Sequence, residues 1–177
     1  MMPRMGIYLG RLNQMDARWC LRFNSASRFY SVRVLFRVIS RLGDGVFWYV
    51  LMAGLLVGFG KAALEPVLHM MLAGLAGTVV YKSIKGKATR PRPYEVHQAI
   101  SLAGAPLDRF SFPSGHALHA VVFSWVALAY FPFLFWLLVP FTLLVALSRV
   151  VLGLHYPSDV LAGAAIGGLI AEIALML

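Results

Sequence analysis

His116 and His155 stand among residues that bind anions, and each has neighbours able to set the state of an imidazole. His116 closes the run Phe112-Pro113-Ser114-Gly115-His116, and His155 lies within Ser148-Arg149-Val-Val-Leu-Gly-Leu-His155-Tyr-Pro-Ser-Asp159. A third cluster, Lys85-Gly-Lys-Ala-Thr-Arg-Pro-Arg92-Pro93, is basic. Lys85, Arg92 and Arg149 offer cationic donors, and the planar fork of arginine matches phosphate oxygens. Pro113-Ser114-Gly115 leads into a helix start, where free backbone N–H groups and the dipole favour an anion. Ser114 suits either the cap of that helix or a donor to a phosphate oxygen. Two histidines can divide the roles of nucleophile and general acid. Asp159 falls four residues after His155, in the first turn of a helix that Pro157 opens. From there a carboxylate can hydrogen-bond back to the imidazole, fix its tautomer and stabilise its charged form. Residue types and spacing together describe an anion pocket with a nucleophile and a general acid.

The elements that must position these clusters are apolar helices. The chain has 177 residues, 60% hydrophobic and 13% charged, against about 25% charged in soluble domains. Residues 46–60 carry no charge, 66–81 are again apolar, and no Lys, Arg, Asp or Glu occurs from Ser114 to Ser148. That last stretch is too long for one span of about 20 residues and suits two, with Phe131-Pro132 marking the turn between them. Residues 160–177 form a final apolar segment, in which Gly163, Gly167 and Gly168 allow close packing and Glu172, its one acid, faces the interior. The reading is an all-α, polytopic membrane bundle of five spanning helices. Consecutive spans run antiparallel, so the three clusters meet at one membrane face. Residues 82–113 form the one long polar loop, and loops of that length are usually functional.

The net charge is +9, and half of the 16 basic residues are arginines in the first 44 positions. Basic clusters that alternate with apolar runs fit anionic headgroups better than nucleic acid. Residues 1–44 read as one or two amphipathic helices on the membrane surface, ended by a break at Gly43-Asp44-Gly45, and residues 45–177 as the embedded domain. The first 20 residues show no apolar core of a signal peptide. Cys20, the one cysteine, allows neither an internal disulfide nor a thiolate metal site.

Lys85-x6-Arg92-Pro93, Pro113-Ser114-Gly115-His116 and Ser148-Arg149-x5-His155-x3-Asp159, complete and in this order, resemble the type 2 phosphatidic acid phosphatase and haloperoxidase superfamily, in its branch of small bacterial membrane lipid phosphatases. The resemblance covers residues from about 45 to 177. It implies that His155 attacks phosphorus to form a phosphohistidine, that His116 protonates the leaving oxygen and then helps activate water, and that Asp159 orients His155. It further implies that Lys85, Arg92, Ser114, Gly115 and Arg149 hold the phosphoryl oxygens, with no metal or other cofactor. The chain also lacks a carboxylate cluster suited to Mg²⁺. It departs from longer members in having segment 1–44 where they have a first spanning helix.

The implied partners are the bilayer and a lipid phosphate or diphosphate, such as undecaprenyl diphosphate, phosphatidylglycerol phosphate, phosphatidic acid or a phosphorylated glycolipid. A vanadate-dependent haloperoxidase would use the same anion pocket, but five spans argue against it. A membrane protein that binds anionic lipid without turnover would need the cations and not His116, His155 and Asp159. Lys82, Lys87, Arg90 and Arg109 read as headgroup-facing charges, and His69 and His97 as structural. His119 shares a face with His116 and reads as pocket wall or hydrogen-bonded support. The N-terminal arginines place the site in the cytoplasm by the positive-inside rule, whereas the family resemblance places it on the periplasmic or extracellular face of a bacterial inner membrane. The second assignment is adopted, because part of the loop charge belongs to the site.

Overall fold

A computed structural model describes the backbone of residues 3–177 and the side chains from Leu12 onward. Met1 and Met2, and the side chains of Arg4 and Arg11 in the expected surface segment, lie outside the described residues. Among the described residues eight α-helices follow one another: α1 (Pro3–Asn24), α2 (Tyr30–Arg41), α3 (Phe47–Phe59), α4 (Leu64–Lys85), the short α5 (Pro93–Val96), α6 (Gly115–Tyr130), α7 (Phe135–Val151) and α8 (Pro157–Leu175). No strand occurs among the described residues. In lipid every backbone polar group must find an internal partner, and helices achieve this within one segment. Among the described residues three helical stretches are long and apolar enough to cross a membrane: Tyr30–Lys85, Pro132–Val151 and Pro157–Leu175. Gly115–Tyr130 is a shorter apolar helix.

Side-chain pairs fix which helix ends lie together. At one end Phe59 packs on Phe131 and Phe133, with ring centroids 5.1 and 5.9 Å apart, and His69 bonds to Tyr130. At the other end Ser114 N–H donates to the Asp159 carbonyl at 3.0 Å, and Lys85 lies 3.4 Å from the Pro113 carbonyl. α4 and α7 therefore finish, and α6 and α8 start, at a single end of the bundle. This is the convergence that antiparallel spans require.

α6 and α8 approach closely because α8 presents glycine where it meets backbone. A Cβ at Gly163 would collide with the Ser114 carbonyl, and one at Gly167 would lie 2.5 Å from the Leu118 carbonyl. Small residues four apart make such close crossings possible in membranes. The contact also holds Ser114 and the start of α6 in place. Gly163→Val is expected to lower stability by about 1–3 kcal/mol through overpacking, read as a lower unfolding temperature in detergent. Gly168 meets only Trp125, at ordinary distance.

Glu172 departs from expectation. It is exposed, and its carboxylate accepts from the Trp125 indole N–H at 2.9 Å on the outer face of the bundle. One donor on the neighbouring helix is enough to hold the acid there.

The basic N-terminal segment is also more closely joined to the bundle than a surface helix need be. α2 buries Phe36 and Ile39 while leaving Val34, Leu35 and Val38 exposed. The Gly43-Asp44-Gly45 break is a wide helical turn, Leu42–Val46, that leads directly into α3, and Gly45 adopts φ 142° there, a conformation that glycine tolerates. α1 lies across the loops at the site end. Its Asn24 bridges the Val151 and Ser101 carbonyls at 2.9 and 3.0 Å and accepts from Ser101 N–H. Its Asp16 accepts from Ser158 N–H at 3.0 Å.

Candidate active site

A cavity of about 460 Å³ opens where the helix ends converge, and Arg92, Gly115, His116, Arg149 and His155 line its polar end. Met71 and Leu75 of α4 and Tyr49 and Met52 of α3 line its apolar side. Of the residues singled out from the sequence, Lys85, Ser114 and Asp159 stand behind this wall, all buried.

His155 sits in the tight link between α7 and α8 and is 2% exposed. Pro157 starts α8 two residues later. Gly153, at φ 73°, allows the chain to reverse beneath the imidazole. His155 Nδ1–H donates to the Ser111 carbonyl at 2.6 Å, which leaves the Nε2 lone pair unprotonated in the neutral ring. Burial, with Arg149, Arg92 and Lys85 nearby, holds this imidazole well below its ordinary value. The ring is thus neutral and held in one orientation.

Asp159 does not make the expected hydrogen bond to His155. Its Oδ2 is 3.9 Å from Nδ1 and instead accepts from Tyr156 N–H at 2.9 Å. A carboxylate at the third helical position caps its own helix, so the Ser111 carbonyl takes over the orienting bond. Ser111 is held for this by its own N–H and hydroxyl, which donate to the carbonyls of Arg90 and Pro91. Asp159 Oδ1 accepts from Arg90 at 2.6 Å, and Arg90 also donates to Asp16 at 2.7 Å. Burial works against the Arg90 charge, but these two carboxylates outweigh it and hold the guanidinium above its usual value. The headgroup-facing role expected of Arg90 is replaced by a bridge from α1 to α8.

Lys85 and Arg92 converge on one acid. Asp108 Oδ1 lies 2.8 Å from Lys85 Nζ and 2.7 Å from Arg92 Nη2, and its other oxygen accepts from Tyr81. Burial tends to raise the Asp108 carboxyl, but the bonds from Lys85 and Tyr81 prevail and hold it below the usual carboxylate range. Arg92 also donates to the Leu154 carbonyl at 2.7 Å, tying the basic loop to the His155 link. Arg149 differs from both. It is 2% exposed, its Nη1 donates to Ser40, and its Nε has no partner among the described residues. An unpartnered buried donor costs about 1–3 kcal/mol, and Arg149 lines the cavity.

Ser114 caps α6, its hydroxyl accepting from Ala117 N–H at 3.5 Å. Gly115 lies against the Tyr81 ring, where a Cβ would come within 2.8 Å. His116 follows in the first turn and pairs through Nε2 with Asp44. Both His119 ring nitrogens are occupied, by the Gly115 carbonyl at 2.9 Å and Thr78 at 3.0 Å, which makes it a wall residue held in place. Sequence reasoning missed Ser111, whose contribution is a backbone carbonyl that no side-chain pattern signals. It also missed Asp44 and Asp108, two of only seven acids in the chain. The scarcity of acids in a membrane chain was itself a signal.

A helical membrane bundle that gathers three cations, two histidines and a capped helix start beside one cavity has the parts that an anion site requires. A model of the PAP2 superfamily matches residues 62–176, and the chain belongs to that superfamily. Undecaprenyl-diphosphatase BcrC of Bacillus subtilis (strain 168) is 37% identical over 97 residues, which cover 55% of this chain and 50% of that protein. The match thus spans about half the length of that relative. Lipid A 1-phosphatase of Rhizobium etli is 28% identical over 172 residues, covering 81% of this chain and 70% of that protein. Among solved structures, Aquifex aeolicus LpxE superposes with a TM-score of 0.75 at 29% identity, covering 89% of this chain and 93% of that one. The transmembrane PAP2 type phosphatidylglycerolphosphate phosphatase of Bacillus subtilis superposes with a TM-score of 0.74 at 25% identity, covering 94% and 85%.

Proposed function

We propose that this chain is an integral-membrane lipid phosphatase that removes phosphate from a lipid phosphate monoester or diphosphate through a phosphohistidine on His155, without a metal ion. The observation that carries the reading is His155 itself: a buried neutral imidazole, its Nδ1 proton committed to Ser111, on the wall of a cavity that also presents Arg92 and Arg149. His155 Nε2 attacks phosphorus in line and the bond to the leaving oxygen breaks. His116 supplies the proton that oxygen needs, then takes one from the water that cleaves the N–P bond. Lys85, Arg92, Arg149 and the N–H groups that follow Ser114 stabilise the charge spreading over the phosphoryl oxygens. These fixed cations supply the positive charge that a metal provides in other phosphotransferases.

The apolar flank of the cavity, between α3 and α4, favours a substrate whose tail stays in the bilayer. The related proteins bear names of the same class: one an undecaprenyl-diphosphatase, one a lipid A 1-phosphatase, one a phosphatidylglycerolphosphate phosphatase. The test is phosphate release by detergent-purified protein in EDTA, over polyprenyl diphosphate, phosphatidylglycerol phosphate, phosphatidic acid and a soluble phosphomonoester. Release from a lipid that persists in EDTA is expected. Release that EDTA abolishes would overturn the metal-free mechanism, and no release from any lipid would turn the reading towards anionic-lipid binding.

The same reading gives five crossings, by α3, α4, α6, α7 and α8, in a bacterial inner membrane, with the site on the periplasmic or extracellular face. Lys85, Arg90 and Arg92 are all paired with carboxylates inside the site. They are therefore poor topology signals, and this weakens the positive-inside argument for a cytoplasmic site. A reporter fused after Leu177 reads cytoplasmic if the assignment holds and exported if it fails.

A further inference from the structure

The chemistry proposed above leaves Asp44 without a task, although its carboxylate lines the cavity. Asp44 stands in the wide turn between α2 and α3, flanked by two glycines. A Cβ at Gly43 would lie 3.0 Å from Val145, so the turn presses against α7. Asp44 Oδ1 meets His116 Nε2, and its Oδ2 faces the exposed Arg41 at 3.6 Å. The other neighbour of Nε2 is Arg149 Nη1 at 3.2 Å. A guanidinium can only donate, whereas a carboxylate can only accept. A proton on Nε2 therefore belongs to the bond with Asp44. Nδ1, by contrast, has no hydrogen-bond partner among the described residues.

We infer that Asp44 is the positioning residue of the acid–base histidine: it holds the Nε2 proton of His116 and thereby makes Nδ1 the nitrogen that exchanges a proton with the substrate. The inference rests on the phosphatase reading. In the first step the Nδ1 proton passes to the departing alcohol oxygen as the N–P bond to His155 forms and the P–O bond breaks. His116 is left neutral, with Nε2–H still donated to Asp44. In the second step Nδ1 takes a proton from the attacking water as the N–P bond breaks. Asp44 remains a carboxylate throughout and offsets the positive ring whenever His116 carries two protons, as a buried acid does for the histidine of a hydrolase triad.

The test uses leaving-group dependence, because kcat/KM reports the steps up to departure of the leaving group. Asp44→Asn keeps the shape of the side chain. On a long-chain alkyl phosphate, whose alkoxide needs a proton to leave, kcat/KM is expected to fall about 100-fold. On p-nitrophenyl phosphate, whose phenolate leaves unaided, the loss is expected to stay under about threefold. The comparison is made within one preparation, so partial unfolding lowers both rates and leaves their ratio unchanged. Equal losses on the two substrates, or no loss on the alkyl phosphate, overturn the inference. His155→Ala and His116→Ala are measured beside it. Phosphate release that survives in His155→Ala overturns the phosphatase reading itself. Release abolished there, with leaving-group selectivity in His116→Ala but not in Asp44→Asn, removes only the role of Asp44.

Discussion

Phosphate release by the His155→Ala protein is expected to fall by about 10⁴-fold or more, the scale seen when the nucleophile of a covalent mechanism is removed. No other described group takes its place: His116 is paired with Asp44, both His119 nitrogens are bonded, and Cys20 is buried with its sulfur turned towards the His155 carbonyl at 3.9 Å. Rapid quenching of the unmodified protein with labelled substrate should trap a base-stable, acid-labile phosphoenzyme that the variant lacks. A phosphoenzyme of equal yield in His155→Ala would place the covalent bond elsewhere. The pH profile carries a second signature. A nucleophilic imidazole loses activity as pH falls through its own folded-state value. That value is held well below the ordinary one by burial and by Arg149, Arg92 and Lys85. The acid side of the kcat/KM profile should therefore remain flat through about pH 6.5, where an ordinary histidine is half protonated, and fall only below it.

Arg149→Met is expected to lower kcat/KM by about 10²–10³-fold, the effect of removing one preorganised donor from a developing anion. Thermal stability should hold steady or rise, because the substitution removes a buried guanidinium whose Nε is unsatisfied and replaces it with an apolar side chain of similar length. The two readings together are diagnostic. A cation kept for catalysis costs stability in the empty protein, whereas a structural cation would cost stability when removed. A large fall in unfolding temperature with little change in kcat/KM would make Arg149 a structural anchor for Ser40 and α2.

Much of this architecture was legible in the sequence because a membrane chain writes its elements as uncharged runs. The absence of charge from Ser114 to Ser148, broken by Phe131-Pro132, located α6, α7 and the hairpin between them. Counting spans then brought Lys85, Ser114, Arg149 and Asp159 to one end without any tertiary information. What remained hidden depends on distances that no spacing rule reports. His155 lies four residues from Asp159, yet the carboxylate is drawn off to Tyr156 N–H and Arg90, and a carbonyl 44 residues earlier in the chain takes the imidazole instead. The Arg90 charge reads as surface until Asp16 and Asp159 are seen on either side of it. Asp44 reads as part of a break because Gly43 and Gly45 signal a turn so strongly that the acid between them goes unasked about.

The bridge from Asp16 through Arg90 to Asp159 also bears on how the protein comes into being. Asp16 meets Ser158 across 142 residues of chain, and the His155 link reaches its orienting carbonyl only through a loop made long before it. During synthesis the N-terminal part of a chain emerges and folds first. The cations on α4 and its loop are therefore in place while His155 and Asp159 are still missing. On the proposed mechanism the nascent protein is inactive until the link between α7 and α8 is made, and this last part of the chain both carries His155 and, through Asp159 and Ser158, ties down α1. Contacts of such long sequence separation form late and slowly, so on the proposed mechanism gain of phosphate release is expected to track completed assembly in the membrane.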